Sequence, residues 1–456
     1  MSLDLSAVGR LMHAFFGKNI ERVARQTQFV QRHSKLNGQT FLQALVFGFI
    51  QKPEASLEDL AQGCHELGVS ISAQGLDQRF NEASVRFLQT MFQQALSSFH
   101  NKIPLAVPLL QQFSCLNIVD SSVIALPAQM QTTYPGCKGK GPQASLKVQL
   151  LFEFLWGNLH QLVLQPGRQA DQSFRDYLPL VQPNSLTLLD LGYFCLDAFK
   201  AIMQQAYVLS RFLPKVGLLT STGQPLNLLT WLDSQKGAYF DLPVQMGQQA
   251  KHRLACRLIG WRLPQEVADR RRQKVKQKAR RTNTGVKKAY LASLDWNLFV
   301  TNVPTPMLSA AHVPLVYAVR WQIELIFKLW KSYARLNRVA GLRRERILVE
   351  LYAKMIGLVL THFLVAPLRF VQQREVSAFK LRGLLQRFAR DLAHHLTDLS
   401  ALLATLTEMM QAIQRFGWKN KRKKCPNVCQ GLALASATCI LLFNLDHKID
   451  LPHLLP

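Results

Sequence analysis

Between residues 110 and 213 five runs of β-type residues follow one another: LNIVDSSVIALP, SLKVQLLFEF, HQLVLQP, LTLLDLG and YVLSRF. Turn material separates them, including the glycine-rich PGCKGKGP, and a helical run from Leu196 to Gln205 lies before the last. Short apolar strands interleaved with helix can bury their surface only as a sheet with helices against it, so the pattern predicts an α/β domain. Two of the runs carry a carboxylate among apolar residues, Asp120 in the first and Asp190 in the fourth. A carboxylate on a buried strand is costly unless something cationic sits beside it. A bound divalent metal meets that requirement.

Further along, YAVRWQIELIFKLWK carries Tyr317, Arg320, Glu324 and Lys331 at offsets of 0, 3, 7 and 14. At about 100° per residue these fall within an arc of roughly 60° on one helix face. Val319, Ile323, Ile326 and Leu329 take the opposite positions. The stretch therefore predicts a single amphipathic helix whose polar stripe suits an anionic, oxygen-rich partner. Alone, the pattern equally describes a solvated face with a Glu to Lys pair.

Asp120 in IVDSS, Asp190 in LLDLGYF, and the tyrosine, arginine, glutamate and lysine with two, three and six residues between them resemble the DDE transposases of the insertion-sequence-4 (IS-4) family. The likeness spans most of the chain. It implies an α/β fold with a ribonuclease-H-like catalytic core interrupted by a β-rich insertion, flanked by helical N-terminal and C-terminal regions. The expected divisions are a helical DNA-binding domain over 1–105, the first part of the core over 110–213, the insertion over 214–305, the rest of the core over 306–370 and a mainly helical region over 371–456.

Three carboxylates from different segments suit two hard divalent cations, Mg2+ or Mn2+, better than zinc. The resemblance implies that Asp120 bridges both metals while Asp190 and Glu324 each complete one site. Arg320 and Lys331 would hold phosphates, Tyr317 would hydrogen-bond a phosphate oxygen, Lys328 would extend the clamp, and Arg211 at the end of the fifth run is a further phosphate candidate. Trp296, 21 residues before Tyr317, would stack on a base flipped out of the cleaved end, with a core position in a strand as the rival reading. The implied reaction is metal-dependent DNA cleavage and strand transfer at terminal inverted repeats, without a covalent enzyme intermediate. Pairing two ends implies a homodimer on double-stranded DNA, in the cytoplasm at the nucleoid. A structure-specific nuclease on the same fold and a domesticated DNA-binding protein without catalysis are the rivals.

Charge agrees with a polyanionic partner: 55 Lys and Arg against 28 Asp and Glu leave +27, more than solubility asks for. No apolar run reaches spanning length by eye, the longest lying around Ile356 to Leu368 and Gly431 to Leu445, and Asp4 and Arg10 interrupt the N-terminus before a signal-like stretch develops. No membrane partner is therefore expected. The eight cysteines are irregularly placed. Cys425 and Cys429, with Cys439, His447 and His453 downstream, fit no compact zinc pattern, and reduced thiols are expected.

Residues 1–105 read as helices, with Ser56 as an N-cap. SLEDLAQGCHELGVSISAQGLDQRF has helix-turn-helix proportions and offers Gln74, Gln78 and Arg79 as base or phosphate readers, though any small helical subdomain would read the same. Glu324 follows Asp190 by 134 positions, enough for an inserted domain. Its short β-branched and aromatic segments predict mostly β structure. Within it, Arg270 to Arg281 reads as a phosphate-contacting block or a solvated basic loop. Arg343, Arg344 and Arg346 follow the signature stretch, and KNKRKK forms a second basic cluster from Lys419.

Overall fold

Helical and β-type runs alternate along the chain much as their periodicity predicts in a computed structural model, which describes residues 4–419 and 432 apart from 18, 33, 103, 138–140, 213, 215, 250–252 and 367–375. The CPNVC pair, Cys439, His447, His453, KNKRKK beyond Lys419, and nearly all of the apolar run from Gly431 lie outside the described residues. In chain order the main elements are α1 (Leu5–Phe15), α2 (Asn19–Gln26), α3 (Gly38–Gln51), α4 (Leu57–Glu66), α5 (Ala73–Gln78) and α6 (Glu82–Ser98). Then come β1 (Leu116–Leu126), β2 (Ala144–Glu153), β3 (Asn158–Pro166), β4 (Leu186–Leu189), α7 (Leu196–Met203), β5 (Tyr207–Arg211), β6 (Leu218–Thr220) and β7 (Pro225–Leu226). They are followed by α8 (Leu228–Ser234), β8 (Tyr239–Met246), β9 (Leu254–Arg262), α9 (Gln265–Arg281), α10 (Lys288–Ser293) and β10 (Trp296–Thr301). The last described elements are α11 (Val313–Ala318), α12 (Trp321–Tyr333), α13 (Arg344–Val365), α14 (Ala378–His395) and α15 (Leu399–Phe416).

The chain divides into two units, residues 1–105, 121–169 and 324–421 in the first and 106–120, 170–323 and 422–456 in the second. These divisions differ from the expected domain limits. The expected insertion and much of the first core segment share the second unit, because β10 hydrogen-bonds antiparallel to β5 and draws the inserted strands onto one sheet.

The first unit is mainly helical. Ser56 caps α4 through a capping box with Asp59, which satisfies two otherwise orphaned N–H groups. Gly68, at φ +84°, makes the turn after α4, a conformation that costs a side chain but not glycine. Helix α13 packs on α6 and α3. Its 22 residues carry a window of mean hydropathy 1.7, long and apolar enough to cross a membrane, which corrects the expectation that no run reaches that length. Arg344, Arg346, Glu350 and Lys354 interrupt the run by eye. Since 83% of that window is buried inside the protein, core packing accounts for its apolar character. The hairpin β2–β3 is antiparallel, with a register shift between Leu151 and Phe152, and every residue of β2 is buried.

The second unit is built on a sheet in the order β1-β4-β5-β10-β9-β8-β6-β7. Strands β1, β4 and β5 run parallel and those from β10 onward are antiparallel. The inserted stretch is mixed rather than mostly β, since α8, α9 and α10 lie among its strands. Its basic block is neither loop nor strand: QEVADRRRQKVKQKARR forms the 17-residue α9. The run has no Gly or Pro and is rich in strong helix formers. Glu266 in its first turn and Lys278, Arg280 and Arg281 in its last complement the helix dipole.

Candidate active site

Strand register brings Asp120 and Asp190 together. Val119 pairs with Leu189 and Leu189 with Ser210 across three parallel strands, so the next residues, Asp120, Asp190 and Arg211, form one row. Asp190 lies one position beyond β4 but keeps extended angles, φ −80° and ψ 167°. Neighbours in such a row point to the same face, about 4.8 Å apart from strand to strand. Both carboxylates are half-buried, at the edge of an otherwise buried run in each strand. The row thus sets two carboxylates and one guanidinium side by side.

Tyr317 and Arg320 complete this cluster, by a geometry the helical wheel did not contain. The stretch from Tyr317 to Lys331 is two helices rather than one, and Val319 and Arg320 form the turn between α11 and α12. Through that turn the backbone bonds run three residues back: Val319 to Val316, Arg320 to Tyr317, Gln322 to Val319 and Ile323 to Arg320. Three residues per turn eclipse side chains at i and i+3. Arg320 accordingly lies against the Tyr317 ring, 5.8 Å from its centroid.

Both side chains turn inward. Arg320 Nη1 donates to Asp120 Oδ2 at 2.8 Å, with side-chain exposures of 5% and 15%, and supplies the positive charge that a buried carboxylate requires. The Tyr317 hydroxyl donates to the Leu189 carbonyl at 3.3 Å, one residue before Asp190. Burial raises the pKa of this phenol, with Arg320 and Arg211 opposing and Asp190 and Asp120 assisting, so it stays protonated and a donor. Read from sequence as phosphate ligands, Arg320 and Tyr317 here hold protein oxygens.

Trp296, the first residue of β10, is 4% exposed. The Arg262 guanidinium lies 4.6 Å from its ring centroid and the Phe240 ring 5.2 Å away. The ring faces protein on both counts, and a base could stack on it only after Arg262 left.

Glu324, Lys328 and Lys331 lie on α12 within the first unit. Glu324 is half-buried and Lys328 exposed; burial lowers the pKa of Lys331. Among the described residues no three His, Cys, Asp or Glu side chains form a group that could hold a metal ion. Within the second unit, Asp120 and Asp190 offer hard oxygen donors on one face.

Sequence reading missed Asn297 and reached Arg271 only as one member of the basic block 270–281. Asn297, two positions before the Arg211 partner Phe299, and Arg271 on α9 are joined by a hydrogen bond, Arg271 Nη2 to Asn297 Oδ1 at 2.9 Å. Only strand pairing brings them near Arg211, and no spacing in the chain signals it.

The model of the transposase DDE domain matches residues 111–360. The chain is 28% identical over 432 residues to the transposase for insertion sequence element IS231F of Bacillus thuringiensis subsp. israelensis, covering 88% of this chain and 90% of that one. It is 26% identical over 443 residues to the transposase for insertion sequence element IS1151 of Clostridium perfringens, with 90% and 92% covered. Among solved structures, the cryo-EM structure of the piggyBac transposase synaptic complex with hairpin DNA aligns over 93% of this chain and 87% of that one, at 9% identity and a TM-score of 0.43, a likeness too slight to carry an argument.

Proposed function

This chain belongs to the family of the transposase DDE domain, and from that premise we propose that Asp120 and Asp190 are two of the three carboxylates with which it cleaves and rejoins DNA. The chain is a DNA transposase, acting on the DNA of an insertion sequence. The observation that carries the assignment of residues is the register row, which sets Asp120 beside Asp190 on one sheet face with Arg320 bonded to the first. In this reading the core is ribonuclease-H-like, supported by the parallel run β1, β4, β5 and the antiparallel hairpin β2–β3.

The family implies a divalent metal, and the donor chemistry of the pair fits one, because two hard carboxylate oxygens on adjacent strands suit Mg2+ or Mn2+. Asp120 and Asp190 would hold it, with Glu324 as the third ligand by its place in the Tyr-Arg-Glu-Lys spacing, and two ions per site is the expected number. When bound, such ions activate a water or 3′-hydroxyl and stabilise charge on the leaving oxygen.

The chain's own residues bind and orient. Tyr317 fixes the end of β4 through the Leu189 carbonyl and so sets the direction of Asp190. Arg320 holds the Asp120 carboxylate in place through its charged hydrogen bond. Lys328 and Lys331, on the helix of Glu324, offer their charges to phosphates next to the scissile bond, and Arg211 offers a third cation from the acidic row. Trp296 stacks on a base only in a rearranged state. The protein binds the terminal inverted repeats of its element as a homodimer, in a bacterial cytoplasm.

The experiment is cleavage of a labelled duplex carrying the candidate element end, with Mg2+ or with EDTA. Wild type is compared with Asp120→Asn, Asp190→Asn and Glu324→Gln. Metal-dependent nicking at the element boundary should fall about 100- to 1,000-fold or more in each variant, in line with the loss of charge-stabilising groups elsewhere, while duplex binding stays within a few fold. Full activity in any folded variant removes that residue from the triad.

A further inference from the structure

Helix α9 begins with three consecutive arginines that meet different fates. Arg270 reaches Glu266 at 3.6 Å. Arg272 pairs with Asp269 at 2.7 Å and with Asp295. Arg271 has no carboxylate partner among the described residues; its Nη2 donates to the neutral carboxamide of Asn297, itself 6% exposed.

Sheet register says where that guanidinium is. Arg211 is paired with Phe299, and Asn297 lies two residues before Phe299, hence on the same sheet face and diagonal to Arg211. Arg271 therefore comes down on the face and at the end of the row that holds Asp190 and Asp120. Arg211 stands in that row beside Asp190 and is half-buried. The two guanidiniums feel each other: burial, and then repulsion from Arg211, push the Arg271 pKa down to about 10.

Arg271, half-buried and answered only by a carboxamide, carries its charge beside the like charge of Arg211, an arrangement that is unfavourable in the free protein. A helix that answers Arg270 and Arg272 with carboxylates, yet leaves the residue between them to a carboxamide, keeps a charge in reserve. Guanidiniums suit the oxygens of a phosphodiester. Resting on the transposase reading, we propose that Arg211 and Arg271 form a phosphate-binding site at the end of the Asp120–Asp190 row, which grips the backbone of the DNA strand entering the acidic pair. Asn297 is a positioning residue that aims Arg271 at that strand. On α9, Lys274, Lys276 and Lys278 are exposed and steer DNA towards this grip from outside.

The test is binding of a fluorescent duplex carrying the element end, in EDTA across a series of KCl concentrations. Wild type is compared with Arg271→Ala, Arg271→Lys and Arg270→Ala, each checked for folding by thermal unfolding. Losing one phosphate contact lowers the slope of log affinity against log salt by about 0.9 and weakens binding on the order of 10-fold at low salt. Arg271→Ala should show both effects and Arg271→Lys should keep the wild-type slope. Arg270→Ala, whose charge Glu266 already answers, should change the slope by less than half as much. An unchanged slope in folded Arg271→Ala overturns the site, as does an equal effect from Arg270→Ala, which would make the contribution a general charge effect of the helix. Should Arg271→Ala fail to fold, Arg271→Gln, which can still donate to Asn297, carries the same slope test. Cleavage by wild type in Mg2+ is read separately: a protein that binds but never cleaves sinks the function reading and leaves the slope result standing, while one that binds no DNA sinks both.

Discussion

Trp296 shows what a single residue can and cannot say. The family resemblance implied base stacking, yet it sits 4% exposed between Arg262 and Phe240, where its first contribution is to packing. Trp296→Ala should therefore destabilise the protein by about 3–5 kcal/mol and Trp296→Phe by clearly less, as measured by urea unfolding; an unchanged midpoint for the alanine variant would return the ring to DNA. His160 provides a second residue-scale test. Burial, and then the neighbouring His100 ring 5.6 Å away, push its pKa down to about 4. Its folded pKa lies below the unfolded value, so its contribution is fully present above pH 6.5 and is lost as pH falls through 4. Stability should fall by roughly 3 kcal/mol over that window, and His160→Gln should flatten the slope. Urea midpoints at pH 7.5, 6 and 5 read this directly, and equal slopes for both proteins would contradict it.

Among elements, the join between α12 and α13 is held by a buried ion pair at helical i,i+4 spacing. Lys354 Nζ donates to Glu350 at 2.6 Å, with side-chain exposures of 1% and 5%, and to the Arg338 carbonyl at 2.9 Å. Glu350 in turn accepts from the Ala340 amide at 2.8 Å. The pair thus anchors the connecting segment that follows the helix of Glu324 and Lys331. Removing one partner leaves a buried charge unanswered, and Glu350→Ala or Lys354→Ala should cost about 3–5 kcal/mol, whereas Glu350→Leu with Lys354→Met should cost much less. A double-mutant cycle by urea unfolding decides it; single variants as stable as wild type would mean that water reaches the pair. At this scale much was legible: Ser56 was readable as a cap because capping is local, and strands β1 to β5 fell where their β-type runs lay. The split of the signature stretch into α11 and α12 was not, because periods of 3.6 and 3.0 diverge too little over one turn for a fifteen-residue pattern to separate them.

For the whole molecule, the charge of +27 predicts strongly salt-dependent DNA binding. If six to ten phosphates are neutralised, affinity should fall by about 10³ to 10⁵ between 50 and 200 mM salt. A titration by fluorescence anisotropy measures the slope, and a change below about 10-fold would show that the basic surface does not carry binding. Composition alone pointed to a polyanionic partner, because net charge is a sum over the chain, and short local patterns pointed to the element types and the candidate acids, Asp120, Asp190 and Glu324, because caps and periodicity depend only on near neighbours. Tertiary structure alone decided which residues share a face. The row of Asp120, Asp190 and Arg211, the bond from Arg320 to Asp120, and the arrival of Arg271 at Asn297 each join positions tens to hundreds of residues apart. Strand register sets such meetings, and hydrogen bonds between distant segments set register, so no local spacing contains them.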